Sequence, residues 1–477
     1  MRMHQCTRGH PLWMGLILAQ SRVDINQIDV LLDKIEHKKI TEYNPDFSGL
    51  VSAIVLEDLW SGLKEREKVV LRMLSISSVA ESEEGLSKIV SGKINYNQFS
   101  KAIRSLKSLN LIISKEGDGF VELHPLVREF IRKNYGSEEQ ENYIGLYVSY
   151  LDGFIYLLKK KFGKVLQPED IAIIVKKIEI LINAGKTQDA INELRLTSGS
   201  LFVSGFSEEY LRLSELLLSG LQWSNKRISG LKGFLEFIST FFTRAAYLRR
   251  NDIFDKYMYK YTDVYQIPDT HMILSKSALS HRAWIAGNFS EAIREGKSAA
   301  DLIDVLGEED IWSGKHTLNL ALRDSKEPEN VGAALRYFSE GRALEDILND
   351  DDMSSSKLGN IGRCLLYQNN VELVHKFICK SYVGFMRGGL GYLDSHNLGY
   401  AYKWIGEGLR DAGKIVESLY FYLHSRNLWK KDMPEEANKI DYYISQMPVS
   451  VATQSVVSLE SWQVSKYCDD WVKEQLE

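Results

Sequence analysis

The stretch LIISKEGDGFVELHPLVREFIRKNY occupies residues 111–135 and decides the fold of the amino-terminal part of the chain. Two runs in it, Leu111–Ser114 and Phe120–Leu123, are rich in branched apolar residues and flank a turn with Gly119. Such runs predict a β-hairpin. Pro125 suits the first turn of a helix, and the apolar residues after it recur at spacings of three and four. The stretch therefore predicts a hairpin followed directly by an amphipathic helix.

Three helical segments are predicted upstream of the hairpin. They span Glu65–Ile76, Glu83–Ser91 and Tyr96–Leu109, and each carries apolar residues at helical spacing. Three helices and a hairpin in this order predict a winged helix-turn-helix.

The third of these helices allows two interpretations. In a DNA-binding winged helix it enters the major groove, and Lys101, Arg104 and Lys107 face phosphates or bases. The same helix also carries apolar residues for a core, so the three cations can equally form a solvated basic face. Nucleic-acid binding is left open by this pattern.

Two further segments resemble the STAND class of signalling ATPases. Thr7–Met14 resembles that family's Gly-x-Pro element, with Gly9 and Pro11 in the matching positions. In the family this element opens a helix of a small helical lid and touches the adenine. Glu57–Leu74 is similar to the family's entry into its winged helix.

The segment Leu123–Leu126 matches the family's histidine motif. By this resemblance, His124 contacts the β-phosphate of bound ADP and holds the resting state. The alternative is a histidine that caps the following helix or packs in the core.

The family's nucleotide-binding core has no counterpart in the sequence. A phosphate loop needs a glycine-rich turn between a strand and a helix, followed by Lys and Ser or Thr. Gly185-Lys186-Thr187 and Gly296-Lys297-Ser298 imitate only its end, in helical hairpins that no strand precedes. We therefore expect no ATP hydrolysis by the chain alone, no bound cofactor and no enzyme activity. The resemblance implies the carboxy-terminal part of a larger switch protein, either as a truncated gene product or as one piece of a split system with a separate ATPase-containing chain.

Most of the remaining sequence predicts helical hairpins. In Tyr402–Arg426, Gly406 lies on a first helix, Gly413 marks the turn and Ser418 lies on a second helix. This pattern resembles a tetratricopeptide repeat. Small residues at related positions recur 42, 40 and 44 residues apart, at Ala292, Ala334, Val374 and Ser418. Because the usual period is about 34, we expect lengthened helices. Arrays of this kind bind proteins or peptides in a concave groove.

Composition limits the other classes of function. The chain has 477 residues, with 59 basic and 64 acidic residues and a net charge of -5, which argues against strong nonspecific binding to nucleic acid. No stretch approaches the roughly 20 apolar residues of a membrane span, and we expect no signal peptide. The four cysteines form no CxxC pair, so neither a metal site nor disulfides are expected, and a cytoplasmic location is predicted.

The sequence thus predicts an all-α fold. Its predicted parts are a helical lid remnant at 1–50, a winged helix at 51–137, a tetratricopeptide-like α-solenoid at 138–450 and a helical tail at 451–477. The expected function is the non-catalytic, partner-binding sensor half of a STAND-type signalling protein, in antiphage defence or another sensory pathway. The alternative is a winged-helix transcriptional regulator with a repeat sensor domain.

Overall fold

The computed structural model describes residues 2–7, 10–20, 26–41, 47–115, 119–134, 137–162, 165–224, 228, 230–387, 392–431, 433–448 and 462–476. These residues are mostly helical and include one small sheet, so the predicted all-α fold is confirmed. The chain divides into two compact units, residues 1–159 with 179–185 and residues 160–178 with 186–477.

Four helices begin the first unit: α1 (Arg2–Thr7), α2 (Pro11–Gln20), α3 (Asn26–Thr41) and α4 (Phe47–Gly62). The Arg2 guanidinium on α1 donates to Glu36 on α3 at 3.1 and 2.9 Å. Trp13 and Ile17 of α2 are buried. An ion pair and apolar burial together therefore hold these helices.

The rest of the first unit alternates helices with short strands. In chain order these are α5 (Glu65–Ile76), β1 (Glu81–Ser82), α6 (Glu83–Ile89), α7 (Tyr96–Ser108), β2 (Ile112–Ser114), β3 (Phe120–Leu123), α8 (Pro125–Asn134) and α9 (Ser137–Leu158). The strands form an antiparallel sheet in the order β1-β3-β2, and Ile112 pairs with Leu123. The predicted helices and hairpin are confirmed at these positions, whereas β1 was not predicted.

Two side chains, those of Asn95 and Gln98, cap the amino-terminal end of helix α7. The Asn95 side chain accepts a hydrogen bond from the Gln98 backbone N–H at 3.0 Å, and the Gln98 side chain accepts one from the Asn95 N–H at 3.0 Å. This reciprocal pair satisfies two backbone donors that a helix start leaves free. Phe99, Ile103 and Leu106 then face the core.

The remaining described residues form mostly helices, the first of which has its residues 168–178 in the second unit and 179–183 in the first. They are α10 (Pro168–Asn183), α11 (Thr187–Val203), α12 (Ser207–Gly220), α13 (Phe234–Tyr247), α14 (Asn251–Val264), α15 (Thr270–Ala286), α16 (Phe289–Leu306), α17 (Gly314–Asp324), α18 (Pro328–Phe338), α19 (Leu344–Leu348), α20 (Ser355–Tyr367), α21 (Val371–Arg387), α22 (Tyr392–Asp411), α23 (Ile415–Trp429), α24 (Pro434–Ser445) and α25 (Trp462–Leu476). Neighbouring pairs such as α15 and α16, α20 and α21, and α22 and α23 pack against each other. The predicted helical hairpins are thus confirmed.

Small residues let the two helices of a hairpin approach closely. The Ser418 hydroxyl on α23 donates to the Gly406 carbonyl on α22 at 2.6 Å, and the Ser280 hydroxyl on α15 donates to the Ala292 carbonyl on α16 at 2.7 Å. Gly413 makes the turn between α22 and α23 with a φ of 76°, a conformation that glycine adopts without a steric penalty. The sequence roles predicted for Gly406, Gly413 and Ser418 are therefore confirmed.

The aromatic residues of α14 divide between core and surface. Tyr257 and Tyr261 are fully buried, whereas Tyr259 is 75% exposed. Residues four apart share a helix face, and a residue between them points elsewhere.

Among the described residues, none of the helices combines the length and the apolar character that a membrane span requires.

Candidate functional site

His124 lies between β3 and α8, where it contacts the start of the helix. Its Nδ1 accepts a hydrogen bond from the Leu126 backbone N–H at 3.3 Å. Burial lowers the pKa of His124, and the nearby His10 and Arg128 lower it further. His124 thus caps α8 in this structure, which is the structural role that the sequence left open. The contact of His124 with the β-phosphate of ADP stays a prediction.

The proximity of His10 to His124 brings two of the family-like segments together. His10 precedes α2, and its ring lies 5.6 Å from that of Trp13. Pro11 begins α2 and is exposed. Gly9, the other residue of the Gly-x-Pro element, lies outside the described residues. His10, which precedes Pro11 in the chain, is therefore close enough to His124 to act on its charge.

The three candidate DNA-binding cations on α7 differ in their surroundings. Lys101 and Arg104 are exposed. The Lys107 ammonium forms an ion pair with Glu83 on α6 at 2.7 Å. This pair joins two helices of the same unit, so Lys107 already has a structural partner.

The two fragments that imitate a phosphate loop lie at different places in the helical hairpins. Gly296-Lys297-Ser298 is inside α16, and a Cβ on Gly296 would lie 2.9 Å from the Ser280 hydroxyl oxygen. This glycine therefore serves a close helix crossing. Lys186 is the residue that precedes α11.

The second unit contains a cavity of about 380 Å³, which we call the array cavity. Helices α13, α15, α17, α20, α21 and α22 and the residues just before α17 contribute its walls. Its aromatic lining consists of Tyr247, His281, Trp284, Trp312, His316, Phe385, Tyr400 and Trp404. Its polar lining consists of Ser239, Thr243, Ser277, Ser313, Thr317, Arg323, Ser356, Asn360, Ser381 and Asn397. A volume of this size falls in the range of about 300 to 1,000 Å³ that is typical of small-molecule sites.

Arg323 on α17 is held rigidly at the wall of the cavity. Its Nε and Nη2 donate to the two oxygens of Asp324 at 2.8 and 2.7 Å, and its Nη1 donates to the side-chain oxygen of Asn360 on α20. Asp324 also accepts from Trp284 Nε1 at 2.9 Å. Two-point pairing of arginine with a carboxylate fixes the guanidinium plane. Three successive hairpins therefore determine where Arg323 points.

Two histidines of the cavity are held in the neutral form. Burial, with smaller contributions from the neighbouring His316 and Arg244, lowers the pKa of His281 to about 4. Burial also lowers the pKa of His316 to about 4, with smaller contributions from Arg323 and Lys357. Because burial penalises the charged form, both rings are uncharged near neutral pH.

The sequence did not identify this cavity. No motif in the sequence assigns a role to His281, Arg323 or Trp404. The three residues have one sequence feature in common: each lies on the first helix of a hairpin, close to apolar core residues. This feature predicts a half-buried position for each residue, but it does not predict that the three helices meet at one cavity.

Among the residues that the structure describes, no group of three or more His, Cys, Asp or Glu side chains could hold a metal ion. The four cysteines, Cys6, Cys364, Cys379 and Cys468, are free and buried.

No protein-family model matches the chain, and no curated protein matches it. A solved structure to which it is similar is that of a Signal Transduction ATPase with Numerous Domains (STAND) protein with a tetratricopeptide repeat sensor from Pyrococcus horikoshii. The two share 15% sequence identity over 99% of this chain and 71% of that chain, with a TM-score of 0.33. At this level of similarity, the function of that protein does not transfer to the chain.

Proposed function

We propose that this chain is the non-catalytic sensor half of a STAND-type signalling protein and that its helical array binds a protein or peptide partner. The observation that carries the proposal is the array cavity, because the first helices of successive hairpins, α15, α17, α20 and α22, all contribute to it. Repeat arrays bind through surfaces that several repeats build together. A partner here contacts residues that no single hairpin could present.

Residues 51–137 are proposed to be the winged helix of that switch and residues 1–50 the helical lid remnant. The support is the order of α5, α6, α7, β2 and β3 and the proximity of His10 to His124. His124, Gly9 and Pro11 then contact nucleotide only when a separate ATPase-containing chain supplies the phosphate-binding core. A role in antiphage defence in the cytoplasm is the cellular setting that we propose for such a sensor.

The alternative, a DNA-binding regulator, rests on a different observation. Lys101 and Arg104 are exposed on α7, the helix that a DNA-binding winged helix inserts into the major groove. The ion pair of Lys107 with Glu83 reduces the basic face to two cations, so we favour the sensor.

The sensor proposal is tested by blocking the array cavity. Ala278 lines the cavity on α15, and Ala278→Phe places a ring in it. Ala343 is exposed and outside the lining, so Ala343→Phe is the matched control. Partners captured from source cells by the tagged chain are identified by mass spectrometry, purified and titrated against each form.

We expect Ala278→Phe to weaken the binding of the purified partner at least tenfold, whereas Ala343→Phe binds like the wild type. Equal affinity for both variants would show that the partner uses another surface. Circular dichroism of each variant confirms that the helices remain folded.

A further inference from the structure

The array cavity has a charge pattern that goes beyond the proposed partner surface. Among the described residues that line it, Arg323 is the one side chain that is charged at neutral pH, and no carboxylate lines it. Asp324, which pairs with Arg323, is outside the lining. The ion pair is therefore oriented with its positive end toward the cavity.

The Arg323 guanidinium keeps hydrogen-bonding capacity for a ligand. Its Nε and Nη2 donate to Asp324, and its Nη1 donates to Asn360. These bonds use three of the five N–H donors of an arginine, which leaves two on the terminal nitrogens. The side chain is only 4% exposed, so its donors are shielded from bulk water and are already oriented.

The charged groups around the cavity include both signs. Arg244, Arg323 and Lys357 act on the lining residues His281 and His316, whereas the carboxylates of Asp324 and Glu436 act on the lining residue Tyr400. Of these five charged groups, Arg323 is the one that lines the cavity, so it is the charge that a ligand in the cavity contacts.

The walls favour a flat ring. Trp284, Trp312, Tyr400 and Trp404 line the cavity, and the Trp404 ring lies 5.7 Å from the Arg323 guanidinium. Ser277 Oγ and Trp312 Nε1 are buried and have no hydrogen-bond partner among the described residues. Buried polar atoms of this kind are normally paired, and an acceptor on a ligand pairs with them.

We infer that the array cavity binds a small aromatic carboxylate, with the carboxylate on Arg323 and the ring between the tryptophans. Arginine presents a planar fork that matches a carboxylate. A single lining cation suits a monoanion better than a phosphate group, which carries about −1.5 to −2 charges at pH 7. This inference shares the array cavity with the proposed function, but the carboxylate needs no partner protein, so its binding can be measured and can fail independently of partner binding.

The test uses the full chain with two probes of one shape, 2-naphthoate and its neutral analogue 2-naphthamide. Binding is measured by saturation-transfer NMR and by titration at millimolar probe concentrations. We expect naphthoate to bind at least tenfold more tightly than naphthamide. Equal affinity, or no binding of either probe, would overturn the inference.

Two variants assign the binding to Arg323. Arg323→Gln removes the cation, and Asn360→Asp places a carboxylate against Nη1 while Arg323 stays in position. Both should abolish the preference for naphthoate. Asn360→Asp tests the charge separately, since Arg323→Gln leaves the buried Asp324 unpaired and can unfold the hairpin.

The matched control is Arg363→Gln. Arg363 is a second arginine beside Trp404, at 5.8 Å, and it pairs with Glu407, but it is outside the lining. This variant should retain the preference for naphthoate. A preference that survives Asn360→Asp, or one that is lost equally in Arg363→Gln, would contradict the site.

Discussion

Tyr247 on α13 and His396 on α22 are in ring contact, with their centroids 4.7 Å apart. Tyr247 also contacts His281 on α15 at 5.0 Å. The contact joins helices that are far apart in the sequence of the second unit. Both histidines are buried, although a histidine in water is charged at mildly acidic pH.

This burial predicts an acid sensitivity. Burial lowers the pKa of His396 to about 3 and the pKa of His281 and His316 to about 4, whereas an unfolded histidine has a pKa of about 6.5. Below that pH the unfolded chain takes up protons that the folded chain does not. Stability is therefore complete above about pH 6.5 and falls toward pH 4, by about 1.4 kcal/mol per pH unit for each histidine.

Urea denaturation across this pH range measures the effect. His396→Asn should make the fall shallower than in the wild type, and His4→Asn should not, because His4 is exposed. Identical slopes for the wild type and His396→Asn would show that this histidine is not buried in the neutral form.

Close helix crossings predict opposite effects for two glycine substitutions. A Cβ on Gly362 would lie 2.7 Å from Ile378 Cγ1 and 3.3 Å from its backbone nitrogen, so Gly362→Ala should destabilise by about 1 to 3 kcal/mol. Gly332 lies within α18, where a Cβ would meet only Arg336 Nη1 at 3.8 Å. Gly332→Ala should stabilise by about 0.5 to 1 kcal/mol. Thermal melting of both variants measures the two changes in stability. If Gly332→Ala destabilised the protein as much as Gly362→Ala, the close helix crossing at Gly362 would not explain the effect.

The purified chain alone should neither bind ATP or ADP tightly nor hydrolyse ATP. The reason is that Gly296-Lys297-Ser298 lies within α16, where backbone N–H groups are used by the helix and cannot surround a phosphate. Calorimetric titration measures the affinity. Micromolar binding that disappears with Lys186→Ala or Lys297→Ala would assign a nucleotide site to those fragments.

If the first unit is a regulatory lid, duplex DNA should bind weakly, with a steep dependence on salt and without sequence preference. A selection from random duplexes tests this expectation. Recovery of a defined sequence motif that is lost with Lys101→Ala and Arg104→Ala would instead favour the DNA-binding regulator.

Local signals made much of the fold predictable. The predicted helix Tyr96–Leu109 ends one residue beyond α7, and Pro125 is the first residue of α8, in the first turn where it was predicted. The two-residue strand Glu81–Ser82 was missed because it pairs only through the distant β3. The array cavity could not be predicted, since the position of Arg323 depends on Asn360 in another hairpin. Its lining is a product of how hairpins pack, which no local pattern encodes.

The central claim is that the helical array is the binding module, and the most direct measurement is the affinity of an identified partner for each part of the chain. Residues 1–137 and 138–477 are expressed separately and compared with the full chain by circular dichroism and calorimetry. Each hairpin contacts chiefly its neighbours, so residues 138–477 should fold alone and bind the partner with an affinity within about threefold of the full chain, a difference of about 0.7 kcal/mol. An unfolded array, or a partner that binds only residues 1–137, would contradict the claim.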